Sequence, residues 1–281
     1  MAPLKSFLKQ LLPPFTLRLF RLAIGQKQEV KNVIKPIWQG NYQSWNEAIK
    51  NTSGYEASQI LEQCKNALLK VKNGEAVYER DSVIFNEVHY NYGLLSALLK
   101  AANENNGELI VIDFGGSLGS SYFQNRNFLN PLKKLKWCIV EQKHFVDCGN
   151  QFFADENLEF YYSIEACLAK NKPNVLLISG VIQYLEKPYE WLQKFVDFQI
   201  PYIIIDRLSL VRNGDDILTV QNVPDEIYKA SYPAWFFNKD KFEKILFNHY
   251  NLIAYFDSGF TPPATINENN KVYWNGLILK K

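Results

Sequence analysis

A change of rhythm at residue 108 constrains this chain more than any other feature of its sequence. From there, short apolar runs rich in β-branched and aromatic residues recur: "ELIVIDF", "KWCIVE", "LEFYY", "NVLLIS" and "PYIIID". Segments long enough for helices separate them. Strands alternating with helices form βαβ units, whose strands pair in parallel and are covered on both faces. The tail departs from this pattern. "FEKILFNHYNLIAYFDS" reads as a helix leading into a strand, and "KVYWNGLILKK" as a further strand after a turn-rich loop. The expectation is an α/β fold: a seven-stranded, mostly parallel sheet with helices on both faces and an antiparallel C-terminal strand.

The preceding residues read as helical. "PLKSFLKQLLPPFTLRLFRLAIG" places Leu4, Phe7, Leu8, Leu11, Leu12 and Phe15 at helical spacing, with Pro13 and Pro14 dividing it. Ser44 and Glu47 stand in capping-box register for another helix. Ile60, Leu61, Cys64, Leu68 and Val71 mark a longer one that stops at Gly74. "SVIFNEVHYNYGLLSALLKAA" reads as a helix through about residue 102, capped by Asp81, before the polar "NENNG" of 103–107. Three stretches follow: a basic amphipathic segment (1–28), a helical cap (29–107) and the sheet domain (108–281).

Charge separates the first stretch from the rest. Residues 1–28 hold Lys5, Lys9, Arg18, Arg21 and Lys27 and no acid, leaving 26 basic against 29 acidic residues elsewhere. A net charge of +2 is too small to argue for a nucleic-acid partner. The basic segment resembles an interfacial helix, which would bring the protein to the face of a membrane; packing on the body is the alternative. Arg18 and Arg21 interrupt the only candidate signal-peptide core, and no apolar run approaches the roughly 18 residues of a membrane span. A cytoplasmic place is expected, peripheral at the membrane's inner face if residues 1–28 bind lipid. Cys64, Cys138, Cys148 and Cys167 form no CxxC pair and have no histidine at ligand spacing, so free thiols and no metal site are expected.

The stretch "VIDFGGSLGSSYF" (111–123) places three glycines directly behind the first strand of the sheet. Backbone freedom there lets a ligand approach beyond the carboxyl ends of the strands. A P-loop is excluded, since no lysine follows Gly119. The dinucleotide fingerprint, counted from Gly115, meets Ser117 and Ser120 where glycines belong. The acidic-x-G-x-G-x-G loop of S-adenosylmethionine enzymes fits with one departure: Asp113, Gly115, Ser117, Gly119, with Gly116 between. Serine at 117 leaves open whether that residue takes positive φ. The second strand ends in Glu141, 22 residues after Gly119 and followed by Gln142, where a carboxylate can accept both hydroxyls of a ribose. After the third strand, Tyr162 and Ser163 are candidates to meet the adenine.

These residues resemble those of class I S-adenosylmethionine-dependent methyltransferases, and "NVLLISGVIQYLEKPYEWL" is similar to their fourth-strand motif. The resemblance implies a Rossmann-like domain, S-adenosylmethionine as cofactor, and Ser179, Gly180 and Gln183 near its methionine end. More narrowly, "GYEAS", "YERDSVIF", "FGGSLGSSYFQNR", "VEQKHFVDCG", "GVIQYLEKP", "DRLSL" and "VQNVPDEIYKASYPAWFF" resemble a family of bacterial methyltransferases linked with surface-polysaccharide gene clusters. That resemblance implies a carbohydrate or glycan-precursor hydroxyl as the acceptor. A nicotinamide-dependent sugar reductase and a non-catalytic cofactor-binding or scaffold protein are the alternatives.

An oxygen acceptor gains from a general base. Asp206, leaving the fifth strand beside Arg207, is the first candidate and His89 the second. Glu79 and Arg80 in "YERDS", together with Arg207, Tyr228, Tyr232 and Trp235, are candidates for the acceptor side, the three aromatic residues as a stacking lid.

Overall fold

The computed structural model describes residues 37–52, 57–223, 230–258, 264–266 and 270–281. The basic segment 1–28, with the helices read there, and Tyr228 lie outside the described residues.

In chain order the elements are β1 (Trp38–Gln39), α1 (Trp45–Lys50), α2 (Ala57–Lys72), β2 (Tyr78–Arg80), β3 (Val83–Phe85), α3 (Tyr92–Glu104), β4 (Glu108–Phe114), α4 (Ser120–Leu129), β5 (Lys134–Val140), α5 (Lys143–Phe152), β6 (Leu158–Tyr161), α6 (Ile164–Leu168) and β7 (Val175–Ser179). A 3-10 turn (Ile182–Tyr184) follows, then α7 (Pro188–Asp197), β8 (Tyr202–Val211), β9 (Ile217–Asn222), β10 (Ser231–Asn238), α8 (Lys239–Phe247), β11 (Asn251–Phe256), β12 (Ala264–Ile266) and β13 (Asn270–Lys280).

The seven expected strands are present in the order β6-β5-β4-β7-β8-β13-β11. The first five are parallel, and β13 runs antiparallel between β8 and β11. The fold is a Rossmann-like α/β sheet. Successive residues of each strand feed opposite cores, as period-2 alternation requires. Leu109 and Val111 of β4 and Tyr202 and Ile204 of β8 pack with α2, α3, α4 and α5 on one face. Ile112, Phe114, Ile203 and Ile205 pack with α6, α7 and α8 on the other. A fully buried apolar side chain contributes about 1.5–3 kcal/mol, so the two cores dominate the stability.

The sheet is larger than the sequence suggests, with eleven strands among the described residues. The far end of β8 pairs with β10 at Phe237 and Asn238, and β10, β9 and β1 continue as an antiparallel extension. Pro233 obscures β10 in the sequence. It pairs only with Val220 of β9, on a stretch of β10 beyond the β8 pairing, where a missing amide costs nothing.

Residues 78–91 correct a second expectation. The long helix read from "SVIFNEVHYNYG" onward is instead a β2–β3 hairpin followed by an extended segment, and α3 begins only at Tyr92. Asp81 is therefore no helix cap: it sits in the hairpin turn at φ 50°, beside Ser82 at φ 66°. The cap is Asn91, whose Oδ1 accepts the Leu94 amide at 3.1 Å. Val, Ile and Phe have β preference, and Tyr78 faces Phe85 across the hairpin. Elsewhere among the described residues the helix signals at Ser44, Glu47 and Gly74 hold. Ser44 Oγ accepts the Glu47 amide at 3.2 Å, and Glu47 returns its carboxylate to the Gln43 amide at 2.9 Å. Gly74 takes φ +78° just past α2. All four cysteines are free thiols, and among the described residues no helix is long and apolar enough to cross a membrane.

Candidate functional site

In-register pairing brings the carboxyl ends of four parallel strands together. Phe114 lies between Val140 and Ile178, and Ser179 lies beside Asp206. The backbone continues the alignment past the strands, with Gly115 N donating to Val140 O at 2.9 Å and Gly180 N to Asp206 O at 2.9 Å. A ligand of an open α/β sheet binds beyond this edge.

The loop 115–119 wraps around Asp113. That aspartate is buried, and its Oδ2 accepts Trp137 Nε1–H from β5 at 2.9 Å. Burial raises its pKa to about 7, opposed by the indole hydrogen bond. A Cβ on Gly116 would stand 2.5 Å from Asp113 Cγ, so only glycine lets the backbone pass. Gly115 takes φ +70°, and a Cβ there would meet Val181 Cγ2 at 2.5 Å. Ser117 adopts φ 54°, so the serine keeps the left-handed turn of an all-glycine loop at a strain of roughly 1–2 kcal/mol. Gly119, at φ 108°, starts α4 with no side-chain cap.

Glu141 closes this side. Its Oε2 accepts the Gln142 amide at 2.7 Å, and the Ser117 backbone on the glycine loop also favours its charged form. Burial raises the Glu141 pKa while both oppose that shift. A carboxylate offers about four acceptor positions, so enough remain for a ribose diol. The residues present therefore fit an adenosine ligand. Gln142 is exposed at the cap of α5. Ser163 is occupied as the cap of α6, accepting Ala166 N at 3.1 Å, and the exposed Tyr162 hydroxyl donates to Asp147 at 2.8 Å. Neither is tied to the loop by a hydrogen bond.

On the other side Asp206 is buried at the end of β8. Its Oδ1 accepts Asn91 Nδ2–H at 3.0 Å and its Oδ2 the Ser179 hydroxyl at 2.9 Å. Arg207 Nε lies 3.7 Å from the same carboxylate, and its NH1 lies 3.9 Å from Asp81. Burial raises the Asp206 pKa, opposed chiefly by Arg207. Arg207 sits at φ 55° in a bulge where Asp206 and Arg207 together oppose Gly276 of β13. This turns the guanidinium toward Gly180, whose added Cβ would lie 3.1 Å from Arg207 Nε. Gln183 is buried, donates to Arg207 O at 3.3 Å, and leaves its Oε1 without a partner.

His89 does not join this cluster. It lies ahead of α3 rather than on it, with Nε2 3.6 Å from Glu87 and its carbonyl accepting from Gln124. Asn91, two residues on, holds the position beside Asp206. Arg80 Nε donates to the Tyr78 hydroxyl at 3.1 Å. Glu79 is buried against α4, where it accepts the Ser120 hydroxyl and, at 3.2 Å, the Ser82 amide. Tyr232 meets Tyr184 edge-on at 5.1 Å, and Tyr184 donates to Gln221 at 2.9 Å. Trp235 Nε1–H donates to Leu185 O at 3.2 Å, which fixes it in the packing under the 3-10 turn. Sequence reasoning missed Asn91 and Tyr184. The "N-x-x-L" cap pattern at Asn91 was the available signal; nothing local marked Tyr184.

No protein-family model matches the sequence, and no curated protein does. Among solved structures, the chain is similar to the N-terminal domain of EvdMO1, determined in the presence of SAH and D-fucose, at 10% identity and TM-score 0.46, over 80% of this chain and 97% of that one. It is also similar to an S-adenosylmethionine-dependent methyltransferase from Clostridium acetobutylicum (10% identity, TM-score 0.41, 68% and 92% covered). Human N-acetylserotonin methyltransferase is a third (12% identity, TM-score 0.42, 66% and 51% covered). At identities this low the fold rests on the chain's own strand order.

Proposed function

We propose that this protein is an S-adenosylmethionine-dependent methyltransferase whose acceptor is a hydroxyl of a carbohydrate or glycan precursor. The observation that carries the cofactor assignment is that the glycine loop, with Gly115 at φ +70° and Ser117 at φ 54°, and Glu141 follow the carboxyl ends of the paired parallel strands β4 and β5. A second observation disfavours a nicotinamide dinucleotide. Its pyrophosphate would lie at the N-terminus of the helix after the loop. The Glu79 carboxylate already stands there against Ser120, and would repel it.

When bound, S-adenosylmethionine supplies a methyl group on a sulfonium that is its own leaving group. The protein's part is orientation and handling of the acceptor's proton. Glu141 would take the ribose hydroxyls, and the 115–119 backbone would hold the adenosine. Ser179, Gly180 and Gln183 stand toward the methionine end. Asp206 receives the acceptor proton, because its buried carboxylate is a stronger base than an exposed one. His89 is the rival base, held outside the Asn91–Asp206–Ser179 cluster. Arg207 and Arg80, with Tyr232, face the acceptor. The carbohydrate assignment rests on the sequence resemblance, and the basic residues of 1–28 would hold the enzyme beside lipid-linked glycans at an anionic membrane.

Calorimetry with S-adenosylhomocysteine and with NADH tests the cofactor: the expected result is binding of the first alone. Binding of NADH alone overturns the assignment. Methyl transfer from labelled cofactor across a panel of sugar acceptors then tests the substrate class.

A further inference from the structure

Glu79 is 2% exposed and forms no salt bridge among the described residues; the Arg80 charge is the smallest of the named influences on its carboxylate. The nearby guanidiniums are engaged elsewhere, Arg80 with the Tyr78 hydroxyl and Arg207 with Asp81 and Asp206. Buried carboxylates are ordinarily paired, because desolvating an unpaired charge is costly. Burial accordingly raises the Glu79 pKa to about 7, with the Ser120 hydroxyl opposing that shift. Its two hydrogen bonds, from Ser120 and the Ser82 amide, leave acceptor positions free.

Its place matters as much as its charge. Ser120 is the residue after Gly119, so Glu79 stands at the head of α4, where the glycine loop ends. Cys64 of α2 lies nearby: burial chiefly pushes its thiol pKa up to about 12, and the Glu79 charge adds to that shift. A hairpin far from the loop in sequence thus delivers a carboxylate without a salt-bridge partner to the head of the helix that follows the loop.

We propose that Glu79 receives the ammonium group of the amino-acid end of the cofactor, an inference that rests on the adenosylmethionine assignment. The ligand supplies the missing cation, and Ser120 and Ser82 hold the carboxylate toward it. Glu79 is then a cofactor-binding residue rather than an acceptor-binding one.

The test is a two-by-two binding measurement with S-adenosylhomocysteine and its deaminated analogue, which lacks only the ammonium, on the full chain and on Glu79→Gln. The wild type is expected to lose roughly tenfold or more in affinity on deamination of the ligand. Glu79→Gln is expected to bind both ligands within about twofold of each other, since the two changes remove one interaction. A deamination penalty as large in Glu79→Gln as in the wild type overturns the proposal. So does a wild type that does not discriminate between the ligands, whatever becomes of the variant's folding. Failure of the wild type to bind S-adenosylhomocysteine at all is a different result, and breaks the cofactor assignment itself.

Discussion

The two sides of the crevice are put together in opposite ways. On the β4–β5 side, Asp113, the glycine loop and Glu141 come from adjacent strands, and nearby backbone geometry fixes them. On the β7–β8 side, Asp206 is held by Asn91, which lies 115 residues earlier in the chain, and by Ser179. The first side is a local motif whose shape follows from its residue types. The second is a long-range constellation that exists only once the sheet is assembled and α3 is capped. The contrast suggests that the first should answer to ligand binding and the second to turnover.

The largest expected effect tests that division. Asp206→Asn keeps the bonding reach toward Ser179 while removing basicity. Turnover should fall by roughly 10²-fold or more, with S-adenosylhomocysteine affinity within about twofold. His89→Asn is the matched control. A large loss there with a near-normal aspartate variant would move the proton to His89.

Gly116→Ala probes the local side through its fold. The new methyl would press on the Asp113 carboxyl, whose Cγ lies 2.5 Å from the Cβ position, and the loop must shift. A loss of about 1–3 kcal/mol in unfolding free energy is expected by denaturant titration. Unchanged stability would mean the loop is looser than its geometry indicates.

Glu141→Ala removes the carboxylate proposed to accept the ribose hydroxyls. The dissociation constant for S-adenosylhomocysteine should rise at least about tenfold in a folded variant. An unchanged constant would take Glu141 out of the site and dissolve the contrast.

Trp235→Phe carries the smallest effect. It removes the indole donor to Leu185 O and should cost about 1 kcal/mol of stability, leaving the acceptor's KM within twofold. A clear rise in KM without loss of stability would return Trp235 to the role of a stacking lid.

How much was legible follows from the same contrast. The five parallel strands and the antiparallel tail showed in the sequence because doubly covered strands must be apolar throughout. The hairpin at 78–85 did not, because "SVIFNEV" satisfies helix and strand patterns equally over so short a span. The extension of β9 and β10 was hidden by Pro233, which argues against a strand unless one of its edges is free.

The sequence by itself determined the α/β architecture, the glycine loop around Asp113 and the placing of Glu141, since each depends on residues close in the chain and on backbone sterics. Only the tertiary structure decided that Ser117 bends left-handed, that Asn91 rather than His89 stands beside Asp206, and that Glu79 reaches the head of α4. Those outcomes depend on side chains from distant segments meeting in a low-dielectric interior, where burial and pairing set charge and position, and no local pattern encodes such meetings.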